Sequence, residues 1–138
     1  MTELTPRMQI TAETELPNAM NWLDRHLTGP AADIQSDLKV VLDEQLANIF
    51  SYGVIDEQAI EVRLELDIQD DALQLRIIDN GLAFNPLQND IDTDFPNIED
   101  RPIGGLGLLL MRELTDSQHY QRQDNLNILE LTRYLPQT

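Results

Sequence analysis

Cysteine is absent from this 138-residue chain, which excludes disulfides, thiolate nucleophiles and zinc–sulfur centres. Histidine occurs only at His26 and His119, an isolated pair that offers no imidazole cluster for a metal. Basic residues are scarce as well: nine Lys and Arg stand against 25 Asp and Glu, for a net charge of −16. Duplex-binding proteins gain much of their affinity by neutralising phosphates, so a nucleic-acid partner is not expected. The acidity reads either as plain solubility or as steering towards a partner with a basic surface. No apolar run approaches the ~20 residues of a membrane span. The stretch Met1-Thr2-Glu3-Leu4-Thr5-Pro6-Arg7 has no basic head followed by an apolar run, unlike a secretory signal. A chain that makes no membrane contact and resides in the cytoplasm is the default expectation.

What is present is enough apolar content, 41%, to build one core, and the length suits a single domain over residues 1–138. Residues 4–12 read as a strand. Leu16, Met20, Leu23 and Leu27 form one apolar stripe of a helix over 16–28, with Pro17 in its first turn and Gly29-Pro30 ending it. A longer helix over 32–52 buries Ile34, Leu38, Val41, Leu42, Leu46 and Ile49 and closes at Gly53. Ile60, Val62, Leu64, Leu66 and Ile68 alternate with polar residues, the pattern of a half-buried strand. After a turn at Asp70-Asp71, Leu73, Leu75 and Ile77 begin its hairpin partner, which runs to Asp79. Residues 81–103 hold Pro86, Pro96, Pro102 and five acids, and read as a lid, a binding loop or a disordered segment. A helix over 106–115 and two strands, 117–123 and 126–135 around Asp124-Asn125, complete the order. The fold class this implies is α+β: a two-layer α/β sandwich with helices on one face of a mostly antiparallel, mixed sheet.

Three segments carry candidate chemistry. Glu44 and Asn48 lie at i and i+4, so they share one helical face, in a polar stripe with Asp37 and Ser51. The plain alternative is the solvated face of an amphipathic helix. Asp79 follows Ile77 and Ile78 at a strand end, so its carboxylate is a candidate for burial and then needs a donor; the alternative is an ordinary Asp-Asn-Gly turn. Gly104-Gly105-Leu106-Gly107-Leu108 opens a helix without the Lys-Ser/Thr of a Walker loop or the third glycine of a dinucleotide fingerprint. Glycines at a helix start still let backbone approach a phosphate; the alternative is a loop end before a core helix, with Leu108, Leu109, Leu110, Met111 and Leu114 packing the core. Asp90-Ile91-Asp92-Thr93-Asp94 fails as a calcium loop, since the required Gly and Glu positions are Phe95 and Arg101. No Gly-x-Ser-x-Gly elbow supports serine–histidine–acid catalysis.

In this order the three segments resemble the N, G1 and G2 boxes of the ATP-binding superfamily of gyrase, heat-shock chaperone and histidine kinase ATP domains. The likeness is greatest to its small single-domain branch, the anti-sigma-factor serine/threonine kinases of partner switching. It spans roughly residues 35–135, including the closing strands around Asp124-Asn125-Leu126-Asn127. The resemblance implies ATP and Mg²⁺ as cofactors. Asn48 matches the asparagine that binds Mg²⁺, and Glu44 the glutamate proposed as general base for a serine hydroxyl. Asp79 matches the aspartate that reads the adenine amino group, with Gly81 giving room and Phe84 closing the relaxed box Gly81-Leu82-Ala83-Phe84. Gly104, Gly105 and Gly107, with Leu106 and Leu108 between and after them, match the hinge of an ATP lid, and Arg101 stands where a lid cation would meet the γ-phosphate. The implied partners are an anti-anti-sigma-type protein substrate, a sigma factor or other regulator, and a second copy in a homodimer. Ile49-Phe50-Ser51-Tyr52-Gly53-Val54 departs from the His-containing run that often follows the asparagine. A non-catalytic binding module and a simple ATPase of the same fold are the competing functions.

Overall fold

A computed structural model of the chain describes residues 5–54, 58–88 and 105–136. The elements run β1 (Arg7–Ile10), α1 (Leu16–His26), α2 (Gln35–Tyr52), β2 (Val62–Ile68), β3 (Ala72–Asp79), α3 (Gly105–Leu114), β4 (Ser117–Gln123) and β5 (Leu126–Tyr134). Short 3₁₀ turns precede α1 and α2 and follow β3. The helix expected from residue 32 starts at Gln35, because Gly29 takes a left-handed φ of 59° and Gly29–Ile34 coil as a 3₁₀ segment first. The strand expected over 4–12 is shorter, Arg7–Ile10.

The five strands form one sheet in the order β1-β2-β3-β5-β4, and its four pairings are all antiparallel. The mixed character expected from the sequence is not found among these pairings, and the reason is simple. β3 and β4 run in the same direction, but β5 inserts between those two strands and runs against both. The β4–β5 connection is a two-residue turn in which Asp124 and Asn125 take φ of 54° and 63°. That left-handed pair matches the twist of the strands it joins.

The alternation expected in β2 places Val62, Leu64 and Leu66 under the helices, with Leu73, Leu75 and Ile77 of β3 and Leu129 and Leu131 of β5 beside them. The helical layer answers with Trp22 and Leu23 of α1, Leu38, Val41, Leu42 and Leu46 of α2, and Leu108 and Met111 of α3. In α1 the buried stripe is rotated from the one expected: Ala19 and Trp22 are fully packed, whereas Leu16 and Met20 are only partly buried at its edge. Among the described residues no helix is long and apolar enough to cross a membrane. The arrangement sets the C-terminal half of α2 above the ends of β3 and β5, and a cleft opens there.

Candidate functional site

The cleft encloses about 570 Å³ of space open to solvent. Gln45, Asn48 and Ile49, at i, i+3 and i+4 on α2, share the face that forms one wall. Ile77 and Asp79 of β3, Tyr120 of β4, and Asn127 and Leu129 of β5 form the floor, and Leu82, Phe84 and Pro86 the rim. The lining is largely apolar with a few convergent polar groups, the composition of a small-molecule site.

Asp79 is 7% exposed at the last position of β3, where its register partner on β5 is Asn127. That pairing brings the Asn127 amide to Asp79: Nδ2 donates to Oδ1 at 2.9 Å, and the Gly81 N–H donates to the same oxygen at 2.9 Å. Among the described residues no hydrogen bond reaches Oδ2. Burial raises the Asp79 pKa above its ordinary value, an effect eased by the Asn127 and Gly81 hydrogen bonds and by the Arg122 charge.

Asn127 ties the cleft together. Its Nδ2 also donates to the Leu82 carbonyl at 2.8 Å, while its Oδ1 accepts from the Tyr120 hydroxyl at 2.5 Å and the Phe84 N–H at 3.3 Å. The chain leaving β3 is pinned twice more, by Arg122 Nη1 donating to the Gly81 carbonyl at 2.8 Å and by the Leu82 N–H donating to the Gly53 carbonyl at 3.0 Å. A Cβ on Gly81 would lie 2.6 Å from the Gly53 oxygen and 3.1 Å from its Cα, so glycine is required for this backbone approach to the end of α2. Asn80 points elsewhere and braces the entry to β2, accepting from the Glu61 N–H and donating to the Ala59 carbonyl.

The expected polar stripe of α2 divides by environment. Asp37 pairs with Arg133 at 3.1 Å, and Ser51 is exposed. Glu44 and Asn48 are partly buried and face the first turn of α3, where a Cβ on Gly107 would sit 3.3 Å from Asn48 Nδ2 and 3.6 Å from Glu44 Oε2. The absent side chain keeps the helix start close to both polar groups. A helix N-terminus presents unpaired N–H groups to an anion, so a phosphate at the start of α3 has donors available. Among the described residues no three His, Asp or Glu side chains converge on a point. A hard cation held by Asn48 would therefore complete its shell with phosphate oxygens and water, as Mg²⁺ commonly does. By that measure the residues present suit a metal–nucleotide complex.

The structure thus brings Glu44, Asn48, Asp79, Gly81 and Gly107 to one region. Phe84 stands at the rim, 44% exposed. Gly105 and Leu106 begin α3, whereas Leu108 is buried in the core and anchors that helix. Arg101 and Gly104 lie outside the described residues, as do the tested calcium-loop positions 90–101. Sequence reasoning did not single out Gln45, Tyr120, Asn127 or Arg122. Only the β3–β5 pairing sets Asn127 opposite Asp79, although the Asx-rich turn at Asp124-Asn125 marked its neighbourhood.

A protein-family model described as a histidine kinase-like ATPase domain matches residues 10–133. The chain is 31% identical over 132 residues to the serine/threonine-protein kinase BtrW of Bordetella bronchiseptica, across 94% of this chain and 92% of that one. It is 29% identical to the serine-protein kinase RsbW of Bacillus mycoides, across 78% of this chain and 68% of that protein. It is likewise 29% identical to the serine-protein kinase RsbW of Listeria innocua, across 72% and 65% of the two chains.

Proposed function

We propose that this chain, which belongs to the histidine kinase-like ATPase domain family, is a Mg-ATP-dependent protein serine/threonine kinase. It acts as an anti-sigma-type partner-switching regulator in the cytoplasm, as one domain that pairs with a second copy. Its substrate is a serine of a small antagonist protein of the anti-anti-sigma type, and phosphorylation decides which partner it holds, a sigma factor or other regulator among them.

The observation that carries this reading is the meeting of Glu44, Asn48 and Gly107 beside the cleft that Asp79 closes. The buried Asp79 accepts the adenine amino group through Oδ2, while Gly81 and Asn127 hold Oδ1. Asn48 would hold a Mg²⁺ through its side-chain oxygen, and that ion would offset the phosphate charge. The α3 N-terminus and Gly107 let the phosphates approach backbone N–H groups, and Arg101 supplies a further cation to the γ-phosphate. Glu44, one helical turn from Asn48, accepts the proton of the partner's serine as its Oγ bonds to the γ-phosphorus. The bond from that phosphorus to the β,γ-bridging oxygen breaks, and ADP departs.

Glu44→Gln tests the assignment. Removing a general base typically costs about 10²–10⁴-fold in rate, so phosphate transfer to a serine-bearing antagonist should fall on that scale while ATP affinity stays within about threefold. Unchanged transfer rejects Glu44 as the base; an unsubstituted protein that binds Mg-ATP but transfers no phosphate leaves a non-catalytic binding role for the cleft. Phosphate release at the same rate with and without the antagonist identifies a simple ATPase instead.

A further inference from the structure

One polar group in the cleft has no role in the reading above. Gln45 is 5% exposed, and its Nε2 is buried with no hydrogen-bond partner among the described residues. The residue lines the cleft together with the apolar Ile49, Ile77 and Leu129. Leaving an amide unpaired there costs free energy that a leucine would not. The other buried nitrogen without a partner, Arg76 Nε, lies on the opposite face of the sheet, 4.0 Å from the Glu130 carboxylate within an ion-pair row.

The second observation is the kind of group that shares the cleft. Gln45 carries an unpaired donor and lines the same cleft as the acceptor Asp79. An adenine edge presents the complement, since its 6-amino donor is flanked on each side by a ring-nitrogen acceptor. Neither Tyr120 nor Asn127 is free to supply that donor: the Tyr120 hydroxyl is spent on Asn127, and the Asn127 amide on Asp79 and Leu82.

We propose that Gln45 is a base-specificity residue whose amide N–H donates to a ring nitrogen of adenine beside the amino group bound by Asp79. The inference rests on the nucleotide reading of the cleft and deepens it. Asp79 alone accepts any amino group that reaches it; a second, oppositely directed hydrogen bond fixes how the base lies. The amide that weakens the empty protein is satisfied when the base enters, so stability and affinity are expected to move in opposite directions on its removal.

The test measures binding of Mg-ATP, 7-deaza-ATP and 1-deaza-ATP to the full chain and to Gln45→Leu and Gln45→Glu, together with thermal unfolding without nucleotide. The unsubstituted protein should bind ATP about tenfold more tightly than one of the two analogues. Gln45→Leu should bring ATP down to the level of that analogue, leave the analogue's own affinity unchanged within about twofold, and raise the unfolding temperature of the nucleotide-free protein. Gln45→Glu keeps the shape of the side chain and should show the same analogue-dependent loss. If Gln45→Leu lowers ATP and both analogues equally, or leaves ATP binding untouched, the inference is overturned and the nucleotide reading stands. If the unsubstituted protein binds no Mg-ATP, the nucleotide reading falls and this inference with it.

Discussion

Two carboxylates are buried on opposite faces of the same sheet, and they are treated differently. Glu65 of β2 is 6% exposed on the face away from the helices. Its Oε1 accepts from Arg76 Nη1 at 2.8 Å, and its Oε2 meets Arg7 Nε at 3.4 Å and Arg63 Nε at 3.3 Å. The strand register continues the pattern into a row across all five strands, Arg7, Glu65, Arg76, Glu130 and His119, alternating in sign when His119 is protonated. Asp79 is buried to almost the same extent in the helix-side cleft, yet the groups that touch it are neutral, a backbone N–H and the Asn127 amide, and both land on one oxygen. Arg122 acts on it only at a distance, its guanidinium being engaged by the Gly81 carbonyl. A carboxylate that only has to be stable is surrounded by fixed counter-charges. Asp79 is instead oriented by neutral donors, with no hydrogen bond among the described residues to its other oxygen, the arrangement that the proposed adenine contact would use.

The sharpest way to break this contrast is Asp79→Asn. The side-chain oxygen left in place still accepts from Gly81 and Asn127, but the second acceptor becomes a donor. Mg-ATP affinity should fall about 100-fold, the scale of a lost charge-assisted hydrogen bond with a mismatched donor left behind, while the unfolding temperature holds or rises. Calorimetric titration with paired thermal melts checks both; a stability loss as large as the binding loss would make Asp79 a structural residue like Glu65. The converse substitution, Glu65→Ala, should cost about 2 kcal/mol in urea unfolding because it strips the partner from the partly buried Arg76 guanidinium. Nucleotide affinity should stay within about twofold.

The smallest expected effect is in the pH dependence. Burial lifts the folded-state pKa of Asp79 above its unfolded value. Below the ordinary aspartate range, about pH 4, the group is protonated in both states and its contribution is fully present. As the pH rises through the folded value, the folded protein must give up a proton that the unfolded chain has already lost, and stability decreases. The stability of Asp79→Asn relative to the unsubstituted protein should therefore grow from pH 4 to neutrality. Urea midpoints of both proteins at each pH provide the measurement; a difference that stays flat or shrinks contradicts the burial effect.

Local pattern made much of the fold legible. The alternation from Ile60 to Ile68 places β2 and its buried face, and the Asp124-Asn125 pair marks a turn whose left-handed angles the structure shows. The ordered spacing of Glu44–Asn48, Asp79–Gly81 and Gly104–Gly107 identified the family before any coordinates, because those residues are close in sequence within each segment. Where the apolar period was ambiguous, packing decided: α1 turns Ala19 and Trp22 inward, and leaves Leu16 and Met20 at the margin.

The chain's own residues thus determined the elements, the acidic surface and the three segments of the site, since each follows from neighbours a few positions apart. Tertiary structure alone decided that Asn127, 48 residues from Asp79, lies opposite it and orients its carboxylate. It also decided that Gly107 closes on Asn48 and Glu44, and that Gln45, in the wall of the cleft, has its amide nitrogen buried without a partner among the described residues. Strand register and the rotation of a helix against a sheet are fixed by packing over the whole domain, and burial exists only once that packing is made. For that reason Glu65 and Asp79, two acids of ordinary appearance in the sequence, became an ion-paired strut and an open acceptor.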